Sequence, residues 1–319
     1  MFIEQGVKPE NPFWKYIVGS LIIIAAAFIG QLPLVAAITV KSMSEDKTFP
    51  TTEDEVMTFL SPNQTLFWLL LSFVFAMVAI ILVVKVVHKQ TMRSVTTARA
   101  KVDWGRIFFS FGLWMVVMIG MTLIDYYASP QDYELNFEPT SFAILCVIAV
   151  IMIPIQTSTE EYVFRGYLMQ GFGRLAKNKW FPLLLTSLIF GGMHIFNPEV
   201  GKMGYSIMVY YIGTGLFLGI MTLMDDGMEL SLGFHAANNL IGALLVTSDW
   251  SALRTDSILK DVSEPSAGFD VLLPVVIIFP ILLFIFSKKY RWTGWQEKLT
   301  GNIQETPLTK SDDNNSNLY

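Results

Sequence analysis

The chain has 319 residues and a net charge of −5, with 53% hydrophobic residues, only 15% charged ones and a mean hydropathy of +0.49. Soluble domains carry about 25% charged residues, so the composition excludes an ordinary soluble globular protein, and no nucleic-acid partner is expected. Cysteine is used once, at Cys146. That rules out a disulfide framework, and a lone thiol within an apolar run reads as packing.

A run of about 18 or more apolar residues can cross a bilayer core. Eight runs meet that length: Tyr16–Val40, Leu66–Val84, Ile107–Ile124, Pro139–Thr159, Trp180–Asn197, Met203–Met224, Leu230–Thr247 and Val271–Ser287. The sequence therefore predicts an all-α, polytopic transmembrane helix bundle, with the lipid bilayer as its surroundings and the plasma membrane as its location in a bacterium. The first run is too long for a signal-peptide core and contains Gln31 and Pro33, so it reads as a retained helix.

Lys and Arg cluster after the second, fourth and eighth runs, at Lys89–Arg106, Arg165–Lys179 and Lys288–Lys298. The loops after the first and third runs are acidic. This alternation fits eight spans with both termini cytoplasmic. Residues 1–139 would hold helices one to three, 140–248 helices four to seven, and 249–295 a loop and helix eight. The remainder, 296–319, is polar enough to be expected disordered. The Ser94–Trp104 loop reads as an amphipathic stretch on the membrane surface or as a solvated linker.

Ionisable side chains within membrane segments are functional candidates by default. Glu160 and Glu161 directly follow the fourth run; on a helix Glu161 and Arg165 form an i,i+4 pair, while Glu160 lies about 100° away without that partner. In the fifth run, Phe190–Gly191–Gly192–Met193–His194 brings an imidazole next to two glycines that permit close helix approach. In the seventh, His235 and Asn239 share a face. Lys85 and His88, at the end of the second run, are explained by snorkelling. Glu160, His194 and His235 could hold zinc with one coordination position open, or they could activate a water as a general base without metal. In either case Asn239 could donate to a developing oxyanion. The motifs of the site-two metalloprotease, rhomboid serine and aspartyl classes of intramembrane protease are missing.

Glu-Glu-x-x-x-Arg at 160–165, Phe-x-x-x-His at 190–194 and His-x-x-x-Asn at 235–239 resemble, in order, the motifs of the CPBP family. That family comprises CAAX prenyl proteases, bacteriocin-processing enzymes and "abortive infection" membrane proteins. The resemblance covers roughly residues 140 to 248. It implies an intramembrane protease in which Glu160 and His194 activate water and His235 and Asn239 bind the oxyanion or position the carbonyl. Glu161, Arg165 and Phe190 would support them, and the substrate would be a membrane-associated peptide or protein of CAAX or bacteriocin/pheromone type. The alternative is a non-catalytic immunity or binding protein on the same fold. The four residues should converge on one cavity open towards the Lys/Arg-rich side. One spacing conflicts with this, because His194 falls about 21 Å into its segment whereas Glu160 falls at the end of its own. A later start to the fifth helix, or a bend after Pro154, would reconcile them.

Overall fold

Bare backbone cannot be solvated in hydrocarbon, so an uninterrupted apolar run is driven to form a helix. The computed structural model, which describes residues 1–266 and 268–303, has helix over each of the eight apolar runs. α1 (Phe13–Ser44) leads through α2 (Glu53–Phe59) to α3 (Pro62–Leu82), which ends in a π-helical turn, Val83–Val87. α4 (Met92–Thr96) and α5 (Trp104–Ala128) precede strand β1 (Tyr133–Leu135). α6 (Pro139–Glu161) starts on a Glu138 cap and continues through a π-helical segment, Tyr162–Leu168, into α7 (Met169–Ala176). α8 (Trp180–Met193), α9 (Pro198–Met203), α10 (Met208–Met224) and α11 (Glu229–Leu245) follow. Strands β2 (Val246–Ser248) and β3 (Leu259–Asp261), then α12 (Phe269–Leu273), α13 (Phe279–Tyr290) and α14 (Trp295–Thr300), complete the described chain.

The protein is an integral, multi-pass membrane protein. Among the described residues, six helical stretches are long and apolar enough to span: Phe13–Ser44, Pro62–Val87, Trp104–Ala128, Pro139–Ala176, Tyr205–Met224 and Val271–Tyr290. The fifth and seventh predicted spans are helices of only 14 and 17 residues, α8 and α11. α11 is mostly buried among the others, whereas α8 buries one face and exposes Leu184, Leu188 and Met193 on the other. α8 stops at Met193, four residues short of the expected Asn197.

α11 lies against α5 on one side and α6 on the other, with α8 packed on α10 and α1 on α3. Small residues set these distances. At Gly233 a Cβ would sit 2.1 Å from the Ile107 carbonyl oxygen, and at Gly191 it would sit 2.4 Å from Ile212. Outward-facing Phe28, Val116, Ile124, Val147 and Phe284 are exposed, as lipid contact requires. The three short strands form one sheet in the order β1-β3-β2, antiparallel then parallel, tying the chain after α5 to the chain after α11.

At the opposite end a charge cluster pins the loops. Arg99 bonds Asp225 at 2.9 Å and Glu229 at 3.0 Å, Arg106 bonds Asp225 at 2.5 Å, and the Trp292 indole donates to Asp225 at 2.9 Å. The Ser94–Trp104 stretch is thus neither a free linker nor a surface helix, since Arg99 anchors it to α11 and Val95, Thr96 and Thr97 are buried. His88 is likewise not snorkelling. It is buried, its Nε2 3.0 Å from the Tyr167 hydroxyl, and burial, with the Lys15 charge behind it, pushes its imidazole down to about 4. Residues 296–303, expected to be disordered, mostly lie in α14 and its docking contacts: Lys298 bonds Asp226 at 2.8 Å, Glu297 bonds the buried Lys179, and Ile303 is buried. The rest of that tail, 304–319, lies outside the described residues. The Phe2 amide also bonds Asp226, so the two ends of the described chain meet on one side of the bundle.

Gly233→Ala should therefore prise α5 from α11 and cost about 1–3 kcal/mol. It would be read as a lower unfolding temperature in detergent, against Gly112→Ala, whose Cβ meets open space on α5 and should leave the temperature unchanged or raised.

Candidate active site

The conflict over the depth of His194 is resolved by where the fourth helix ends. It neither stops at Thr159 nor breaks at Pro154; helical backbone runs from Pro139 to Ala176, reverses at Lys177 in the left-handed conformation (φ 56°), and returns as α8. Glu160 and His194 each lie 17 residues from Lys177. At about 1.5 Å per residue, the two arms of this hairpin bring them to the same height. The fifth helix does start at Trp180, so the reconciliation lies in the length of its neighbour.

Glu161 anchors the site. Its Oε1 accepts from Arg165 Nη1 at 2.9 Å and lies 2.8 Å from His235 Nδ1. Both acid and guanidinium are buried. Arg165 also donates to the Gly215 carbonyl on α10 at 3.3 Å, and its guanidinium lies 4.3 Å from the centre of the Phe190 ring on α8. Four helices thus converge on one ion pair. A buried charge is tolerated only when paired and hydrogen-bonded, which fixes the partner choice of Glu161.

Glu160, one residue earlier, points elsewhere and keeps 17% of its side chain exposed. Its Oε1 accepts from Gln156 Nε2 at 2.6 Å, and its Oε2 lies 3.5 Å from His235 Nε2. Asn239, four residues beyond His235, donates through Nδ2 to Gln156 Oε1 at 3.0 Å and accepts from Asn238 at 3.1 Å. His194 caps α8 with its Nδ1 2.8 Å from the Phe190 carbonyl, and its ring stacks on Tyr211 at 4.4 Å. The Phe190 ring lies 4.9 Å from the His194 ring and 5.9 Å from the His235 ring. Glu160, His235 and Asn239 are therefore joined by polar contacts, and His194 meets them through Phe190. The partners of both Nδ1 atoms are acceptors, a carbonyl for His194 and the Arg-paired carboxylate for His235, so each Nδ1 is the donor, and the neutral form of each ring has its lone pair on Nε2. His235 is six residues from Glu229 of the charge cluster, about 9 Å along an ideal helix.

A zinc site would need Glu160, His194 and His235 to gather around one point. Among the described residues, no three His, Cys, Asp or Glu side chains gather closely enough to hold a metal ion. His235 Nε2 and Glu160 face one another, but His194 does not complete the set. The arrangement of the described residues does not fit a bound metal.

Sequence reasoning did not single out Gln156, Tyr211 or the bond between Glu161 and His235. Gln156 carried a signal, being a polar residue in an apolar span one turn before Glu160. Tyr211, in a run of apolar and aromatic residues, carried none.

Residues 139–241 match the family model described as type II CAAX prenyl endopeptidase Rce1-like. That stretch runs from the first residue of α6 into α11 and contains every motif residue above. Over 244 residues the chain is 31% identical to "Uncharacterized protein YyaK" of Bacillus subtilis (strain 168), an alignment covering 76% of this chain and 81% of that protein. No solved structure matches.

Glu161→Gln should unfold or strongly destabilise the protein, by about 3–5 kcal/mol, because it strands Arg165 uncompensated in the interior. Glu160→Gln keeps the Gln156 contact within reach and should unfold in detergent near the parent temperature. Size-exclusion profiles and thermal unfolding of the two variants side by side check the contrast.

Proposed function

We propose that this chain, which belongs to the type II CAAX prenyl endopeptidase Rce1-like family, is an intramembrane endopeptidase that hydrolyses a membrane-associated substrate with a water activated by Glu160 and His194. The observation that carries the reading is the division of labour between adjacent acids. Glu161 is consumed by Arg165 and His235, while Glu160, partly exposed, is bonded by the amide of Gln156 and has a more distant imidazole nitrogen beside it. A partly exposed carboxylate that forms no ion pair with the nearby guanidinium is suited to take a proton.

In the proposed reaction a water donates one hydrogen bond to Glu160 and the other to His194 Nε2. Glu160 removes the first proton as the water oxygen bonds to the scissile carbonyl carbon. The carbonyl oxygen becomes an oxyanion and is received by an Asn239 amide N–H. His235 Nε2, 3.5 Å from Glu160 Oε2, is placed to accept the transferred proton and then to donate to the same oxyanion. When the carbon–nitrogen bond breaks, that proton returns through Glu160 to the leaving amine. Water, peptide and protons balance, and the enzyme is restored. The substrate would enter from the Lys/Arg-rich, cytoplasmic side, where the charge cluster around Asp225 lies about two turns from His235.

The test uses the full chain in proteoliposomes with two internally quenched peptides, one ending in a prenylated Cys-aliphatic-aliphatic-X sequence and one a hydrophobic leader peptide without lipid. Cleavage of either supports the protease, and which one is cut assigns the substrate class. Glu160→Gln should lower the rate by about 10²–10⁴-fold and Asn239→Ala by about 10²–10³-fold, both in folded protein. Parent-like rates in Glu160→Gln would remove Glu160 as the base. A folded parent that cuts neither peptide would return the chain to a binding or immunity role. Chelation should leave the rate unchanged; loss of activity restored by added zinc would make Glu160, His194 and His235 ligands instead.

A further inference from the structure

Gln156 has no role in the family motifs, yet its side chain bonds both Glu160 and Asn239. It is buried, in the fifth turn of α6, where an amide has no water to satisfy it. Its Nε2 donates to Glu160 Oε1 at 2.6 Å and its Oε1 accepts from Asn239 Nδ2 at 3.0 Å. The contacts continue outward: Asn238 Nδ2 donates to Asn239 Oδ1 at 3.1 Å, and the Trp114 indole donates to Asn238 Oδ1 at 3.1 Å. The two ends of this chain have fixed polarity, because an indole N–H can only donate and an ionised carboxylate can only accept. Each amide between them therefore has one orientation, with every N–H directed towards Glu160.

Resting on the reading of Glu160 as base, we infer that Gln156 is a positioning residue that locks the attacking carboxylate and the oxyanion-binding amide into one frame, with Asn238 and Trp114 fixing the frame's direction from α5. The consequence is specific. The Asn239 amide must present its nitrogen, not its oxygen, to Gln156, which leaves its second N–H for the substrate oxyanion. Glu160 is at the same time turned so that Oε2, rather than Oε1, faces His235 Nε2.

The charged or titratable groups around this frame are Glu161 and Arg165 on the same helical run, His235 on α11, His194 at the end of α8, and Tyr210 and Tyr211 on α10; α3 contributes none. Gln156→Met keeps the length and removes both bonds. Its kcat should fall about 10–100-fold, with KM within about 2-fold of the parent on whichever quenched peptide the parent cleaves. Gln156→Glu places a second carboxylate against Glu160, and two acids at that distance share a proton. The base is then protonated to a higher pH, so the acid limb of the rate profile should move up by about one pH unit or more. A purely structural role would not lower kcat at an unchanged KM; the limb shift checks separately that position 156 lies against the base. Trp114→Phe, which removes only the indole N–H from the far end, should give a smaller kcat loss and guards against misfolding of the position-156 variants. A turnover-independent readout is the carboxylate band in pH-difference infrared spectra that disappears in Glu160→Gln; its midpoint should rise in Gln156→Glu. If Glu160→Gln is inactive while Gln156→Met and Trp114→Phe keep the parent kcat and the infrared midpoint does not move, the positioning role is wrong and the base assignment stands. If Glu160→Gln is active, the base assignment falls first.

Discussion

One carboxylate oxygen, Oε1 of Glu161, takes both the Arg165 guanidinium and the His235 imidazole inside an otherwise apolar bundle. Isolated charges in such surroundings cost several kcal/mol each, so the three groups are stable there only together. Because Arg165 also reaches Gly215 and stacks over Phe190, the association couples α6, α8, α10 and α11. Everything chemically useful nearby is placed by it. His235 has its ring plane and tautomer set by Glu161; Phe190 is held against both imidazoles; Glu160, about 100° round the helix, bonds Gln156 instead. A Lys at position 165 would keep the charge but lose the planar fork that addresses a carboxylate and a carbonyl at once.

The bundle also departs from a set of uniform membrane crossings. α8 and α11 are shorter than a bilayer core requires and sit among longer helices, and it is these two that carry His194, His235 and Asn239. A short helix ends within the protein, and its exposed carbonyls must find partners there. At the end of α8 the His194 ring does this, taking the Phe190 carbonyl through Nδ1 and leaving Nε2 free. The end of a helix that cannot span thus becomes the means of fixing a tautomer. The widened π-helical segment directly after Glu161 falls at the same level, in keeping with the frequent use of such irregularities at functional sites.

Much of this was legible in the sequence, for identifiable reasons. Spacings of four on one helix, Glu161 to Arg165 and His235 to Asn239, announce shared faces, and the structure honours both. Depth is not legible because the charges at Glu160–Arg165 end the hydropathic run at Thr159 although the helix goes on, and the pairing of Glu161 with Arg165 and His235 inside the bundle shows only in three dimensions. The same blindness to long-range pairing hid the docking of α14, whose Glu297 and Lys298 find Lys179 and Asp226 far away in sequence. It also hid the anchoring of the Ser94–Trp104 loop through Arg99. Gln156 and Tyr211 were passed over because a neutral polar or aromatic residue in an apolar run has many structural explanations until its neighbours are known.

Two chemically identical side chains at adjacent positions end in different states here, and nothing intrinsic to them makes the choice. In water both would be solvated and equivalent. In a medium of low polarity each is defined by the group within about 3 Å of it, because interactions there are little screened. Glu161 meets a guanidinium; Glu160 meets a neutral amide at 2.6 Å and an imidazole nitrogen at 3.5 Å. The amide donates a hydrogen bond that orients Glu160 without forming an ion pair with it. That difference follows from helical geometry alone. A 100° step around α6 turns one acid towards Arg165, one turn further along, and the other towards Gln156, one turn back. Burial then converts that angular difference into a division between an acid locked in an ion pair and one held by a neutral amide.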